Sequence, residues 1–439
     1  MNMQRSSEHI VPIAAGGPSH VSTNQFANYL PDEILLEVLN YFPKGAESQG
    51  QLAKFCSVSR QWYDVGIERL YEAPFISGKA YDLFYATVCP SKNLHIKRSD
   101  LAGLVKVLDF SHLVHQGSKA QTARLLSRTQ QSLLTFVAPQ ASFAINCWAS
   151  LSKCHKLRVL DLSLVSECIS YQSLTQTLRQ LPELTELYLP RCSSRYDYND
   201  TKGIGTSVKW PLQLQHLTLS GSVHGKLMWD MVVQPETFPR TIRSIALSHC
   251  PKVSADEIRK LLKSLGDLVT HVELVGLPAV SQGRMNGILQ WAPKLKNLTI
   301  ATDYIDMNFG HMPDKFKASM WKLAQPLESL TLATSGQRDV DPSRAFAAVD
   351  LFSLIDERFL GRMRFISVAQ STGWAAKDDG AEVEALEMLL HELDKENWDM
   401  RRWHYEEFLG RYEGVSWGHW ALSPKGRTMR AKLRLLKDM

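Results

Sequence analysis

A phrase of the form apolar-x-x-apolar-x-apolar returns ten times between residues 105 and 368, and it restricts the fold more than anything else in the chain. Clear copies are Leu157/Leu160/Leu162, Leu184/Leu187/Leu189, Leu214/Leu217/Leu219, Ile242/Ile245/Leu247, Leu295/Leu298/Ile300 and Leu327/Leu330/Leu332. Weaker copies stand at Val105/Leu108/Phe110, Leu133/Phe136/Ala138, Val269/Val272/Leu274 and Met363/Ile366/Val368. Their third apolar positions lie 24 to 36 residues apart, with most gaps close to 27. Such a period marks stacked supersecondary units, each too small to bury its own apolar face. An ordinary α/β domain of alternating strands and helices is the alternative, but it would have no need of so uniform a phrase.

Residues 242–265 give the most complete unit. Ser254 and Glu257 are spaced as a capping box, Ile258, Leu261, Leu262 and Leu265 form one helical stripe, and Gly266 is placed to end the helix. The unit therefore reads strand, turn, helix. A similar helix is predicted from Tyr171 to Leu181, with Leu174, Leu178 and Leu181 on one side and Pro182 stopping it. Cys192 and Cys250 each follow the third apolar position of a copy by three residues, an offset that predicts reduced thiols packed in the core. Phrase, period and cysteines resemble the cysteine-containing class of leucine-rich repeats. The resemblance implies an α/β solenoid over residues 101–372, a horseshoe whose strands line a parallel sheet on the concave side.

Side chains alternate along a strand, so the residues between the buried positions face the concave surface. One row reads Asp109, Val137, Asp161, Tyr188, Thr218, Ala246, Glu273, Thr299, Thr331 and Ser367. Its neighbour includes Val159, Glu186, His216, Ser244, His271, Asn297, Ser329 and Phe365. Asp161, Glu186, Tyr188, His216, His271 and Glu273 are the candidate contacts for a protein target, although most residues of such a surface are solvated and few carry binding energy.

The segment Tyr29–Ile76 carries more apolar surface than it can hide. Pro31 suits a first helical position, and Asp32 and Glu33 set negative charge against the positive end of the helix dipole. Ile34, Leu35, Val38, Leu39 and Phe42 then recur at spacings of three and four. A polar break, Lys44–Gly50, precedes a second run with Leu52, Phe55, Cys56, Val58 and Trp62. A third run holds Val65, Ile67, Leu70 and Tyr71 before Pro74. Three short helices of this size are at the margin of independent stability and cannot bury so many large side chains among themselves. The surplus packs either on the rest of the chain or on a partner.

The order Leu30-Pro31, Glu33-Ile34-Leu35, Val38-Leu39, Tyr41-Phe42, then Leu52, Phe55, Cys56, Val58, Arg60-Gln61-Trp62-Tyr63 and Leu70-Tyr71 resembles the F-box family over residues 28–76. That resemblance implies a three-helix unit that binds the Skp-type adaptor of a cullin-based ubiquitin ligase through Leu30, Pro31, Ile34, Leu35, Val38 and Leu39, with Trp62 in the helical core. Joined to the repeats, it implies the substrate-recognition subunit of an SCF-type ligase, with a protein target on the repeats. The alternative is a repeat scaffold that binds an adaptor without delivering targets for ubiquitination.

Other classes are disfavoured. No GxxxxGK[ST] loop, GxSxG elbow or HExxH pair occurs, since His391-Glu392-Leu393-Asp394-Lys395 lacks the second histidine. No catalytic residue, cofactor or metal is therefore expected. Cys147, Cys154 and His155 have no common zinc spacing and read as structural. Gly203-Ile204-Gly205 reads as a loop with Asn199-Asp200. The seven scattered cysteines fit a reducing cytoplasmic or nuclear compartment, and no stretch has the length of a membrane span. Residues 1–27 are expected to be disordered and do not form a signal peptide.

The formal net charge of +5 is matched by the final segment, where Lys425, Arg427, Arg430, Lys432, Arg434 and Lys437 face one acid, Asp438. The nearly neutral remainder argues against nucleic-acid binding. The basic stretch 425–439 is expected to be a solvated helix, with a localisation signal or an acidic-surface contact as alternatives. Residues 77–100 read as a linker. Over 373–424, Glu382–Leu393 predicts a helix, and Trp398, Trp403, Tyr405, Phe408, Tyr412, Trp417 and Trp420 crowd together. An aromatic cap over the open end of the solenoid is the expectation, and an aromatic substrate pocket the alternative.

Overall fold

The computed structural model describes residues 30–43, 45–91, 99–113, 118–166, 171–190, 209–221, 238–311, 327–337, 339–374, 380–423, 426 and 431–437. Cys192, the amino-terminal segment and the Gly203–Gly205 loop lie outside the described residues. The chain divides into two compact units, one up to Phe75 and the other from Ile76.

The first unit holds three helices, α1 (Asp32–Asn40), α2 (Ala46–Cys56) and α3 (Arg60–Glu72). The polar break expected over Lys44–Gly50 is mostly helix, because Gly45 adopts φ 130° and lets α2 begin at Ala46. Trp62 belongs to α3 rather than to the second run, since the Ser59 hydroxyl accepts the Trp62 N–H at 3.4 Å and starts a new helix there. Leu35, Leu39, Leu52, Phe55 and Cys56 form the core, with Phe42, Trp62, Val65 and Leu70 packed against it. The Phe55 ring is its hub, 4.5 Å from Trp62 and 6.0 Å edge-on from Phe42. The Gln61 amide donates to Leu30 O at 2.9 Å and to Asp32 Oδ1 at 2.8 Å, tying the start of α3 to the start of α1.

The second unit is a leucine-rich-repeat solenoid built on a parallel sheet of eleven strands in sequential order. The strands are β1 (Val107–Asp109), β2 (Thr135–Val137), β3 (Val159–Asp161), β4 (Glu186–Tyr188), β5 (His216–Ser220), β6 (Ser244–Ser248), β7 (His271–Val275), β8 (Asn297–Ala301), β9 (Ser329–Ala333), β10 (Phe365–Ala369) and β11 (Lys432–Leu436). Every apolar position of the ten sequence copies is at most 3% exposed. Equivalent positions pair across each strand boundary, as in Leu160↔Leu187 and Ile245↔Val272, so the phrase becomes continuous columns through the core. Each leucine buried this way contributes about 1.5–3 kcal/mol, which a lone repeat could not collect.

Helices return the chain from strand to strand: α5 (Lys119–Thr129), α6 (Ile145–Leu151), α7 (Tyr171–Leu178), α8 (Ala255–Leu265), α9 (Ile288–Trp291) and α10 (Ala348–Asp356). In α8 the Glu257 carboxylate accepts the Ser254 N–H at 2.8 Å and its hydroxyl at 2.9 Å, the expected stripe is buried, and Gly266 ends the helix with φ 45°.

Three further expectations change. Residues 77–100 are not simply a linker: α4 (Gly78–Val88) buries Tyr81, Phe84 and Val88, and the Tyr81 ring meets Phe110 edge-on at 6.3 Å. Among the described residues no strand precedes β1, and α4 supplies apolar cover there. In the basic tail the described residues Lys432–Leu436 are strand rather than helix, pairing with β10 along five residues. Alternating Leu433 and Leu435 with Lys432 and Arg434 has the period of a strand, a signal that the count of charges hides.

Residues 373–424, the expected cap, consequently lie between β10 and β11 in the chain rather than after the final described strand. They form α11 (Gly380–His404), longer than the predicted Glu382–Leu393, then a π-helical turn Tyr405–Leu409 and α12 (Trp417–Leu422). Leu386, Leu389, Leu390 and Leu393 are buried, and α11 packs on α10. Among the crowded aromatics only Tyr405 and Trp420 are buried, their rings stacked at 4.7 Å, whereas Trp403, Phe408, Tyr412 and Trp417 remain exposed.

Candidate binding surfaces

Pro31 is the N-cap of α1, and its carbonyl accepts the N–H groups of Ile34 and Leu35 at 3.1 and 3.2 Å. At 100° per residue, Leu35, Leu39 and Phe42 fall on one side and Leu30, Ile34, Val38 and Tyr41 on another. The first set faces the helical core: Leu35 is wholly buried and Leu39 is 4% exposed. The second set is an exposed stripe, with Leu30 37%, Ile34 49%, Val38 38% and Tyr41 81% exposed, and Pro31 is exposed beside it.

The six residues assigned to adaptor contact thus separate. Leu30, Pro31, Ile34 and Val38 offer surface to a partner, and Leu35 and Leu39 are corrected to core positions that hold α1 in place. Tyr41, part of the quoted pattern but not among the six assigned contacts, extends the exposed stripe. Leu36, also exposed at 52%, lies beyond the buried side and does not join the stripe.

On the solenoid the six target candidates lie on β3, β4, β5 and β7, and Glu186, Tyr188 and His216 are in direct contact. Asp161 pairs in register with Tyr188, Tyr188 with Thr218, and Glu186 with His216; Ser244 pairs with both His216 and His271 on the next strands. The Tyr188 hydroxyl donates to Glu186 Oε2 at 3.0 Å, and its ring lies 4.8 Å from the His216 imidazole. Both ring nitrogens of His216 are engaged, Nδ1 at 2.7 Å from Ser244 Oγ and Nε2 at 2.8 Å from Thr218 Oγ1. His271 Nδ1 is 2.8 Å from Thr270 Oγ1. Asp161 spends part of its capacity on its own turn, accepting the Ser163 N–H at 2.8 Å.

Burial shapes the electrostatics of this face. It lowers the pKa of His216, with only partial opposition from Glu186, and lowers that of His271 as well. It raises that of Tyr188, helped by the hydrogen bond and charge of Glu186. The imidazoles therefore favour their neutral forms, and the face is a hydrogen-bonding surface with acidic side chains.

Burial also governs the described thiols, Cys56, Cys89, Cys147, Cys154 and Cys250. Cys250 is buried and donates weakly to Leu219 O at 3.4 Å and Ser248 O at 3.5 Å, and burial pushes its pKa up to about 12; the same cause brings Cys154 to about 12 and Cys89 to about 11. Among the described residues no group of three or more His, Cys, Asp or Glu side chains could hold a metal ion, and no helix is long and apolar enough to cross a membrane.

No protein-family model matches the chain. The F-box protein YDR306C of Saccharomyces cerevisiae is 27% identical over 379 residues, covering 83% of this chain and 75% of that protein. Protein pof5 of Schizosaccharomyces pombe is 24% identical over 353 residues, 80% of this chain and 92% of that one. Among solved structures, the leucine-rich repeat-containing protein LegL7 of Legionella pneumophila is 13% identical with a TM-score of 0.40, covering 65% of this chain and 88% of that one. The chain is thus a homologue, over most of its length, of proteins that include a named F-box protein, and it joins amino-terminal helices to a leucine-rich-repeat solenoid.

Proposed function

We propose that the chain is the substrate-recognition subunit of an SCF-type cullin ubiquitin ligase. The first unit docks on a Skp-type adaptor, the concave face of the solenoid holds a protein target, and ubiquitin transfer is promoted by proximity and raised effective concentration. No side chain of this protein performs chemistry. The observation that carries this reading is the exposed stripe Leu30, Ile34, Val38 and Tyr41, apolar at helical spacing on a helix whose other side is consumed by its own core. Likeness to a protein named for an F-box supports it.

The test is capture of the tagged full-length chain from cells with the cullin complex active or inhibited. The expected result is adaptor in both samples and a protein that accumulates on the chain only under inhibition. Adaptor binding without any accumulating target would favour the scaffold reading, and absence of adaptor would remove both.

A further inference from the structure

We propose that the outer edge of β11 is a strand-addition site for an extended acidic segment of another protein, carrying apolar side chains at alternate positions. This inference is independent of the adaptor reading. Its starting point is the register of the last strand: Lys432–Leu436 pairs with Phe365–Ala369 at every residue, and among the described residues no strand lies on its far side.

Backbone direction gives the edge its hydrogen-bonding capacity. The Lys432 N–H donates to Arg364 O at 2.9 Å, so Lys432, Arg434 and Leu436 direct their backbone groups toward β10. By the two-residue period of a strand, Leu433 and Leu435 turn theirs outward, a short row of donors and acceptors spaced for one more strand.

The side chains specify what fits. Leu433 and Leu435 continue the columns of Ile366 and Val368, both fully buried, yet Leu435 is 45% exposed, with no further column over it among the described residues. Lys432, Arg434 and Lys437 are exposed, and the run Lys432–Lys437 contains no acid. The nearby Asp394 is already engaged, 3.4 Å from Arg364 and accepting the Ala431 N–H at 3.2 Å. A second copy of β11 would bring like charges together, which disfavours self-pairing. An acidic strand meets the cations while its alternate apolar side chains cover Leu435. Backbone bonds then supply affinity and side chains selectivity.

The experiment measures fluorescence anisotropy of labelled peptides against the full chain. An alternating Glu/Val peptide should bind and its Lys/Val counterpart should not. Methylating the Glu/Val backbone nitrogens on one edge leaves charge unchanged but removes donors, and should weaken binding at least tenfold. Leu435→Pro, which deletes an outward N–H and spares the bonds toward β10, should do the same. Lys432→Glu with Arg434→Glu should reverse the preference between peptides. Hydrogen exchange should slow at the Leu433 and Leu435 amides when the peptide is bound. Equal affinity of the methylated peptide would reduce the effect to charge attraction and overturn the proposal. A concentration-dependent dimer abolished by Leu435→Pro would overturn it in favour of a second copy.

Discussion

Gly66 faces Phe55 so closely that a Cβ on it would stand 2.8 Å from Phe55 Cδ1, and 2.9 Å from Cys56 Sγ. The ring has little room to yield, since it is held against Trp62 and Phe42. Gly66→Ala should therefore force α3 away from α2, at about 1–3 kcal/mol for overpacking a filled core. Hydrogen exchange over residues 46–72 should quicken while the solenoid strands keep their protection. Unchanged exchange in α2 and α3 would mean that the helices are not packed this tightly.

The two sides of α1 should respond differently to mutation. Ile34→Glu and Val38→Glu place charge on exposed positions, so both variants should remain folded and lose adaptor capture. Leu35→Ala removes a fully buried side chain and should cost about 2–5 kcal/mol of stability, losing adaptor only through unfolding. Circular dichroism melts run beside a pull-down separate the cases. An Ile34→Glu variant that still captures adaptor at the native level would contradict the assignment of the stripe.

Asp306 should couple the solenoid to pH. Its side chain is 1% exposed and accepts from Asn286 Nδ2 at 2.6 Å, the Asn308 N–H at 2.9 Å and Arg344 Nη2 at 2.5 Å. Burial alone would raise its pKa, but these donors outweigh burial and hold it below the usual carboxylate value. A carboxyl whose folded pKa is depressed stabilises the fold above its unfolded pKa, about 4, and that contribution is lost as pH falls through the folded value. Asp306→Ala should cost about 1–3 kcal/mol at neutral pH by stripping the partners of buried donors. Between pH 4 and more acid conditions the variant should lose less stability than the native chain. Parallel denaturant titrations at neutral and acid pH would show this, and identical pH slopes would exclude the coupling.

The ten-copy phrase fixed strand positions because every apolar side chain in it has one destination, the column of its neighbours, whatever the intervening loops do. Interfaces between elements were harder to read. Leu35 and Ile34 are adjacent, chemically alike residues, and only the placement of α2 and α3 decides which is core and which is surface. The strand at Lys432–Leu436 was hidden for a different reason: two leucines between cations fit either a solvated helix or an edge strand, and the deciding term is the open flank of β10, a contact distant in sequence. Likewise the aromatic cluster after Asn397 was expected to cover the sheet end, yet Tyr405 and Trp420 satisfy each other and leave Trp403 and Phe408 outside. Cys250 was legible from its fixed offset, whereas Cys192 lies outside the described residues.

Target capture should depend on the middle of the concave face. Glu186 pairs in register with His216 and accepts the Tyr188 hydroxyl at 3.0 Å, and Glu273 lies two strands beyond His216 on β7. Glu186→Lys with Glu273→Lys should remove accumulated targets from the purified complex while leaving adaptor capture unchanged. His216→Phe should act differently, because it deletes the bonds to Ser244 and Thr218 but keeps a ring against Tyr188. The two hydroxyls are half-buried, so losing their partner costs about 0.5–1.5 kcal/mol each, and β5 and β6 should exchange amide hydrogens faster even with no target present. Quantitative mass spectrometry of the captured complexes reads the first effect and hydrogen exchange the second. If the double charge reversal retains the same proteins in the same amounts, the target is held elsewhere on the chain.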